Sequence, residues 1–141
     1  MKYEQFRRLC LALPEAAEIE TWGEATFRVR GRIFAIASPE GRSASLKASL
    51  DDQAGLVEMD PKTFEVAAYT GRYGWVRVRF SRLGVRLGER LIRNAWERAA
   101  PRRLVAQNAR RLSPRPPVTR RRMTSRIAAP MKAMTIELIS G

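Results

Sequence analysis

The sequence predicts an α+β fold in which helices pack on one face of an antiparallel sheet. Short segments alternate between apolar and polar residues and are separated by turn residues, which is typical of half-buried antiparallel strands. Two other segments repeat apolar residues at helical spacing, which predicts amphipathic helices. The chain of 141 residues is long enough to bury one core without disulfides or metal.

The predicted order is an N-terminal helix, a β-meander, a short helix, one β-strand and a long C-terminal helix. The first helix covers Tyr3 to Leu13, because apolar residues recur there at i, i+3, i+4 and i+7, and Pro14 ends it. The meander turns at Gly31, and a third strand follows at Ser43 to Lys47. A short helix begins near Leu50. Its core-facing residues are predicted to be Leu50, Ala54 and Val57.

The segment from Ala68 to Phe80 joins a glycine-hinged aromatic loop to a strictly alternating strand. One face of this strand is apolar and is predicted to enter the core, and the other is predicted to meet solvent. The two sets are Val76, Val78 and Phe80 on the first face, and Trp75, Arg77 and Arg79 on the second. An exposed antiparallel face needs long polar side chains in any case, so the alternation alone does not establish a binding surface.

A second strongly amphipathic helix is predicted from about Val85 to Ala99, with arginines on its outer side. The segment 110–126 then contains three prolines and seven arginines with few bulky apolar residues, a composition typical of disorder. We therefore predict one domain over residues 1–108 and a disordered basic Pro/Arg-rich tail over residues 109–141.

Histidine is absent from the chain and cysteine occurs once. This composition excludes Ser-His-Asp and Cys-His catalysis and nearly all zinc-ligand sets within one chain. Carboxylate, lysine or tyrosine chemistry and oxygen-ligand metals stay open, but no pair of carboxylates has a reason for a displaced pKa. We expect no enzyme activity, no catalytic residues, no metal and no cofactor. Cys10 lies on the apolar stripe of the first helix and is predicted to be a buried, inert thiol.

The opening residues are too interrupted by charge for a secretory signal, and no apolar run approaches the length of a membrane-spanning helix. A single cysteine fits a reducing compartment. The expected location is therefore the cytoplasm, without a membrane partner.

Positive charge is concentrated in the second half of the chain. Residues 1–66 carry a net charge of −2, residues 67–108 carry +8 and residues 109–141 carry +7. This asymmetry predicts a polyanionic partner, with nucleic acid favoured over a membrane surface.

Two predicted hairpin arms carry arginine at alternate positions, which predicts contact with the phosphates of duplex DNA. Aromatic residues beside the arginines are expected to stack on bases or wedge between them. The candidate nucleic-acid-binding residues are Arg28, Arg30, Arg32, Lys47, Arg72, Tyr73, Trp75, Arg77 and Arg79.

A small-molecule or anion-binding pocket, in a binding protein or an uncharacterised enzyme, is the alternative hypothesis. The segment Gly71–Gly74 would then close as a lid over the sheet. The residues expected to line that cleft are Trp22, Lys47, Tyr73 and Trp75. A metal-handling role is poorly supported, because acidic residues are few and histidine is absent.

Four short motifs give the chain a family resemblance over about residues 3–108. They are Leu13-Pro14, Trp22-Gly23, the segment RGRIFA at 30–35 and the segment GRYGWV at 71–76. In these motifs the chain resembles the MmcQ/YjbR family of small bacterial proteins. The resemblance implies an α+β fold like that of the CyaY/frataxin group, a double-wing arrangement and a DNA-binding role.

Overall fold

The computed structural model describes residues 1–112, which form four α-helices and one six-stranded sheet. The helices are α1 (Tyr3–Leu11), α2 (Leu50–Met59), α3 (Val85–Ala99) and α4 (Arg102–Leu112). The strands are β1 (Ala16–Thr21), β2 (Glu24–Val29), β3 (Arg32–Ala37), β4 (Ser43–Leu46), β5 (Phe64–Val66) and β6 (Val76–Arg79). The strand order is β1-β2-β3-β4-β6-β5, and every neighbouring pair is antiparallel.

The predicted α+β fold, with its antiparallel sheet and its helices at both ends of the element order, is confirmed. The first helix ends at Leu11, two residues earlier than expected. The last helix continues to Leu112 and so crosses the predicted domain boundary at residue 108. The prediction of a disordered tail falls on residues that, from 113 onward, lie outside the described part of the chain.

The core lies between one face of the sheet and the helices α1 and α3. Phe27 and Trp96 are fully buried there, and the ring of Phe6 meets that of Phe27 edge-on with 5.8 Å between centroids. Trp96 also donates its indole N–H to the carbonyl oxygen of Pro14 at 3.1 Å, which ties α3 to the segment after α1. Leu104 brings α4 into the same core. The opposite face of the sheet carries Arg77, Arg79 and several hydroxyl side chains, among them Ser43 and Ser45.

The inward side of α2 differs from the predicted one at Leu50 and Ala54, whereas Val57 packs against the core as predicted. Leu50 is 57% exposed and Ala54 is exposed, whereas Gln53 and Leu56 are buried. Ser49 caps the start of α2, and its hydroxyl accepts a hydrogen bond from the backbone N–H of the third helical residue, Asp52. The buried polar residue Gln53 has its hydrogen-bonding partners in the loop before β6, described below.

Candidate nucleic-acid interface

The sheet face away from α1 and α3, here called the open face, carries two rows of side chains that run across the strands. Residues directly opposite each other in an antiparallel pair point to the same side of the sheet. From the strand registers, one row consists of Ile19, Thr26, Ile36, Ser45, Arg77 and Glu65. The second row consists of Thr21, Glu24, Ser38, Ser43 and Arg79.

Arg77 and Arg79 lie on the open face, as the alternation predicted, and they share one acidic partner. Arg77 donates to the carboxylate of Glu65 at 3.0 Å, and Nη2 of Arg79 lies 3.6 Å from the same carboxylate. Arg77 also donates its Nε–H to Ser43 Oγ at 3.2 Å, and Arg79 donates to the carbonyl oxygen of Lys62 at 2.7 Å. One carboxylate therefore faces two guanidinium groups.

The three arginines of the β2–β3 hairpin do not share a face. Arg28 lies on the open face, where it donates to the hydroxyls of Thr26 and Thr21. Arg30 lies in the turn at a φ of 49° and forms two hydrogen bonds, of 2.9 and 3.1 Å, with the carboxylate of Glu15. These hydrogen bonds hold the pKa of the Glu15 carboxyl below its usual range. Arg30 is therefore already paired with a carboxylate, whereas Arg28 is bonded to hydroxyl groups.

Arg32 is separated from Arg28 by a register shift. Arg28 pairs with Ile33 although Phe27 pairs with Ala35, so Phe34 is an extra residue in the ladder. Arg32 then stands opposite the core-facing residue Val29, on the helix side of the sheet. A bulge of this kind leaves no simple periodicity in the sequence.

The aromatic residues of the loop before β6 have opposite environments. Tyr73 is 64% exposed, and the guanidinium of Arg72 lies 4.8 Å from its ring centroid. Trp75 is only 8% exposed, so the prediction that it stacks on or wedges between bases is wrong. It precedes the first residue of β6, where the loop packs against α2 and where its carbonyl oxygen accepts a 2.6 Å hydrogen bond from Gln53.

Two open grooves cross this face of the sheet. The first has a volume of about 310 Å³ and is bordered by Tyr69 and by Glu24, Ile36 and Arg77. The second has a volume of about 450 Å³ and is lined by Glu40, Arg42, Ser43, Arg77, Arg79 and Ser81. Ser43 and Arg77 belong to both linings, so the grooves adjoin each other.

The residues expected to line a lidded cleft do not line either groove. Trp22 is 95% exposed in the β1–β2 turn, Lys47 is half-buried after β4, and Trp75 is buried. The segment Gly71–Gly74 is also fixed in place, since Gln53 donates to the carbonyl oxygen of Gly71 at 2.7 Å as well as to that of Trp75.

A second group of basic side chains lies on the helices α3 and α4. These helices contain eight arginines and two glutamates, a net charge of +6. The exposed members, here called the helix-layer arginines, are Arg86, Arg90, Arg98, Arg102, Arg103, Arg110 and Arg111. Within residues 1–112 none of these seven forms an ion pair, whereas the half-buried Arg93 lies 3.7 Å from Glu89. The candidate set drawn from the sequence omitted them, although the charge excess after residue 67 was the signal that pointed there.

Among the described residues, no group of three or more acidic or cysteine side chains is placed to hold a metal ion. None of the described helices combines the length and the apolar character needed to cross a bilayer.

Together, the fold and these two surfaces define a small α+β domain whose antiparallel sheet is covered by helices on one face and open, with basic and hydroxyl side chains, on the other. The family model of YjbR matches residues 11–98, and the chain belongs to the YjbR family. The resemblance seen in the sequence is thus confirmed.

A solved structure of similar fold is the crystal structure of the Deinococcus radiodurans protein DR2400, which carries a DUF419 domain. It is 19% identical to this chain and superimposes with a TM-score of 0.62, over 67% of this chain and 75% of the other. At this identity the likeness establishes the fold alone. No curated protein matches the chain.

Proposed function

We propose that the protein binds nucleic acid, in the first place duplex DNA, through the phosphate backbone and largely without sequence preference. The observation that carries the proposal is the set of helix-layer arginines, seven exposed guanidinium groups without an ion pair among the described residues. Binding to phosphates releases counterions from the polyanion, and each cation that contacts a phosphate adds to this effect.

The spacing on α3 supports a linear track of contacts. Arg86, Arg90 and Arg93 follow one another at i, i+4 and i+7, so they lie along one stripe of the helix. Within residues 1–112, only Arg93 in this stripe has an acidic neighbour within 4.0 Å. A row of arginines of this kind suits the regular spacing of backbone phosphates and carries no base readout of its own.

The open face supports a weaker contribution. Glu65 compensates one of the two charges of Arg77 and Arg79, and Glu15 compensates that of Arg30. Exposed ion pairs of this type are weak, typically below about 1 kcal/mol, so phosphate can compete for these arginines. Arg28, Arg77 and Arg79 therefore form the comparison set for the helix layer, and Tyr73 is the one candidate aromatic that is exposed enough to meet a base.

The test compares three triple variants of the full chain that each lose three arginines to glutamine. The helix-layer variant carries Arg86→Gln, Arg90→Gln and Arg103→Gln. The open-face variant carries Arg28→Gln, Arg77→Gln and Arg79→Gln. The C-terminal variant carries Arg120→Gln, Arg121→Gln and Arg122→Gln. All three have the same net charge, so differences between them report position and not total charge.

Fluorescence anisotropy with a labelled duplex, over a salt series, measures the affinity and its salt slope. With about six phosphates neutralised, the wild-type slope of log K against log salt is expected to be roughly −5. The helix-layer variant is expected to bind at least about tenfold more weakly, with a slope shallower by about 2 to 3.

Absence of duplex binding at low salt, or binding that does not depend on salt, would refute the proposal. A larger loss in the open-face variant would assign the interface to the sheet instead of the helices. Equal losses in all three variants would mean diffuse attraction without an interface. Loss for only one DNA sequence would indicate base readout.

A further inference from the structure

Tyr69 is held in an unfavourable backbone conformation beside the first groove of the open face. Its φ is 62°, in the left-handed region that bulky residues rarely adopt, and its side chain is 95% exposed. A conformation of this kind persists only where the surrounding structure imposes it, and such positions concentrate at binding sites. Tyr69 gains little burial in return, although it borders a groove of about 310 Å³.

The loop that carries Tyr69 is braced on its other side. Gln53 donates to the carbonyl oxygens of Gly71 and Trp75, at 2.7 and 2.6 Å. Gly74 lies so close to the carbonyl oxygen of Ala48 that a Cβ would clash with it. The loop therefore presents an exposed aromatic ring from a fixed frame, which lowers the entropy cost of stacking a ligand on that ring.

The two ends of the grooved region have opposite charge. One row of side chains crosses the four neighbouring strands β2, β3, β4 and β6, and it contains Glu24, Ser38, Ser43 and Arg79. Three strand spacings separate the first residue of the row from the last, roughly 14 Å. A carboxylate therefore marks one end of the row and a guanidinium marks the other.

The second groove adds further arginines at this end, and one acidic residue, Glu40, lines it as well. Arg42 and Arg79 line it together with the hydroxyl of Ser81. Arg42 has no hydrogen-bonded or ionic partner for its side chain within residues 1–112. Guanidinium groups beside hydroxyls are suited to a phosphate, because together they offer several N–H and O–H donors.

We propose that the open face binds a nucleoside monophosphate whose base carries an exocyclic amino group, such as AMP. The base lies between Tyr69 and the apolar side chain of Ile36, its amino group donates to Glu24, and its phosphate meets Arg42 and Arg79. This inference goes beyond the proposed function, because the site lies on the opposite face of the sheet from α3.

Isothermal titration calorimetry of the full chain with AMP, adenosine and purine riboside monophosphate tests the assignment. AMP is expected to bind at least about tenfold more tightly than adenosine, which lacks the phosphate. Purine riboside monophosphate lacks only the amino group and is expected to bind about tenfold more weakly than AMP. Glu24→Ala is expected to abolish that difference between the two nucleotides.

A matched pair of aromatic substitutions controls for surface effects. Tyr69→Ala is expected to weaken AMP binding about tenfold. Trp22→Ala removes another aromatic side chain that is 95% exposed at positive φ, but Trp22 borders neither groove, so AMP binding should be unchanged. Circular dichroism melting of each variant confirms that it is folded.

Failure of AMP to bind with a Kd below about 10 mM would overturn the proposal. Equal effects of the two aromatic substitutions would do so as well, as would inorganic phosphate binding as tightly as AMP. The helix-layer triple variant should bind AMP like the wild type, and Tyr69→Ala should bind duplex DNA like the wild type, so the two proposals fail separately.

Discussion

The side-chain amide of Gln53 donates a 2.7 Å hydrogen bond to the carbonyl oxygen of Gly71, 18 residues further along the chain. Its second N–H reaches the carbonyl oxygen of Trp75, so one buried side chain fixes both ends of the loop before β6. This bracing argues against a lid that opens and closes over the sheet. It instead makes the loop part of the rigid frame of the open face.

Gln53→Leu is expected to lower the free energy of unfolding by about 1 to 3 kcal/mol, because two carbonyl oxygens lose a buried donor. Urea denaturation followed by tryptophan fluorescence measures the change. Gln107→Leu alters an exposed glutamine of α4 and should change stability by less than about 0.5 kcal/mol. Equal effects of the two substitutions would contradict the bracing role.

Gly74→Ala is expected to cost about 3 kcal/mol or more, because a Cβ at φ 102° would also collide with the carbonyl oxygen of Ala48. Gly23→Ala is the matched control, since Gly23 has a φ of 83° with open space around it. Its cost should be limited to the backbone strain of about 1 kcal/mol. The same denaturation assay would disprove this account if both variants lost equal stability.

Glu65→Gln is expected to increase the affinity for AMP about threefold, because the Glu65 carboxylate competes with the phosphate for Arg79. Calorimetry at low salt measures the effect. Glu20→Gln removes the same charge from an exposed position on β1 and should leave the affinity unchanged. An identical gain in both variants would show that only net charge matters.

The hydroxyl of Thr63 donates to the carboxylate of Asp60 at 2.6 Å, and this hydrogen bond lowers the pKa of that carboxyl. The pKa of Asp60 is lower in the folded than in the unfolded protein. The hydrogen bond therefore stabilises the protein at pH values above the ordinary aspartate pKa of about 3.9, and this stabilisation is lost as the pH falls through the folded pKa. Thr63→Val should therefore be less stable than the wild type near neutral pH, with a difference that shrinks on acidification. Thermal melts over a pH series measure this difference in stability. The control is Thr70→Val, because the hydroxyl of Thr70 donates to a backbone carbonyl oxygen and not to a carboxylate, so this variant should show no such pH dependence.

Cys10 is fully buried, and burial raises the pKa of its thiol. Because the thiolate is the reactive form, the native protein should not react with a disulfide reagent such as DTNB on the timescale of minutes. Denaturation should expose one reactive thiol per chain. Rapid reaction of the native protein would mean that α1 opens readily.

Much of the fold was predictable because it depends on periodicity. Apolar spacing located α1 and α3, and alternation identified β6 and its two faces. The inward side of α2 was not predictable, because Gln53 is buried for its partners in a distant loop and not for its hydrophobicity. Trp75 alternates with Arg77 in the sequence, but it lies just before β6, in the loop that packs against α2. The alternation therefore does not predict its burial.

The candidate site was predictable only in part. Alternation placed Arg77 and Arg79 on the open face. Their shared partner Glu65 comes from β5, and the pairing of β5 with β6 cannot be predicted from local sequence. The bulge at Phe34 likewise separates Arg28 from Arg32 without a periodic signal. Tyr69 became a candidate only when its backbone conformation and its groove were known.

The position of β6 between β4 and β5 has a consequence for how the chain reaches its final state. The first four strands can pair through short local turns. In contrast, β6 must insert between β4, which ends about 30 residues earlier in the sequence, and the three-residue β5. We expect this insertion to come late in folding, because it closes the longest loop in the sheet. A nucleotide bound across β4 and β6 would then slow unfolding, because it would hold together the two strands that pair last.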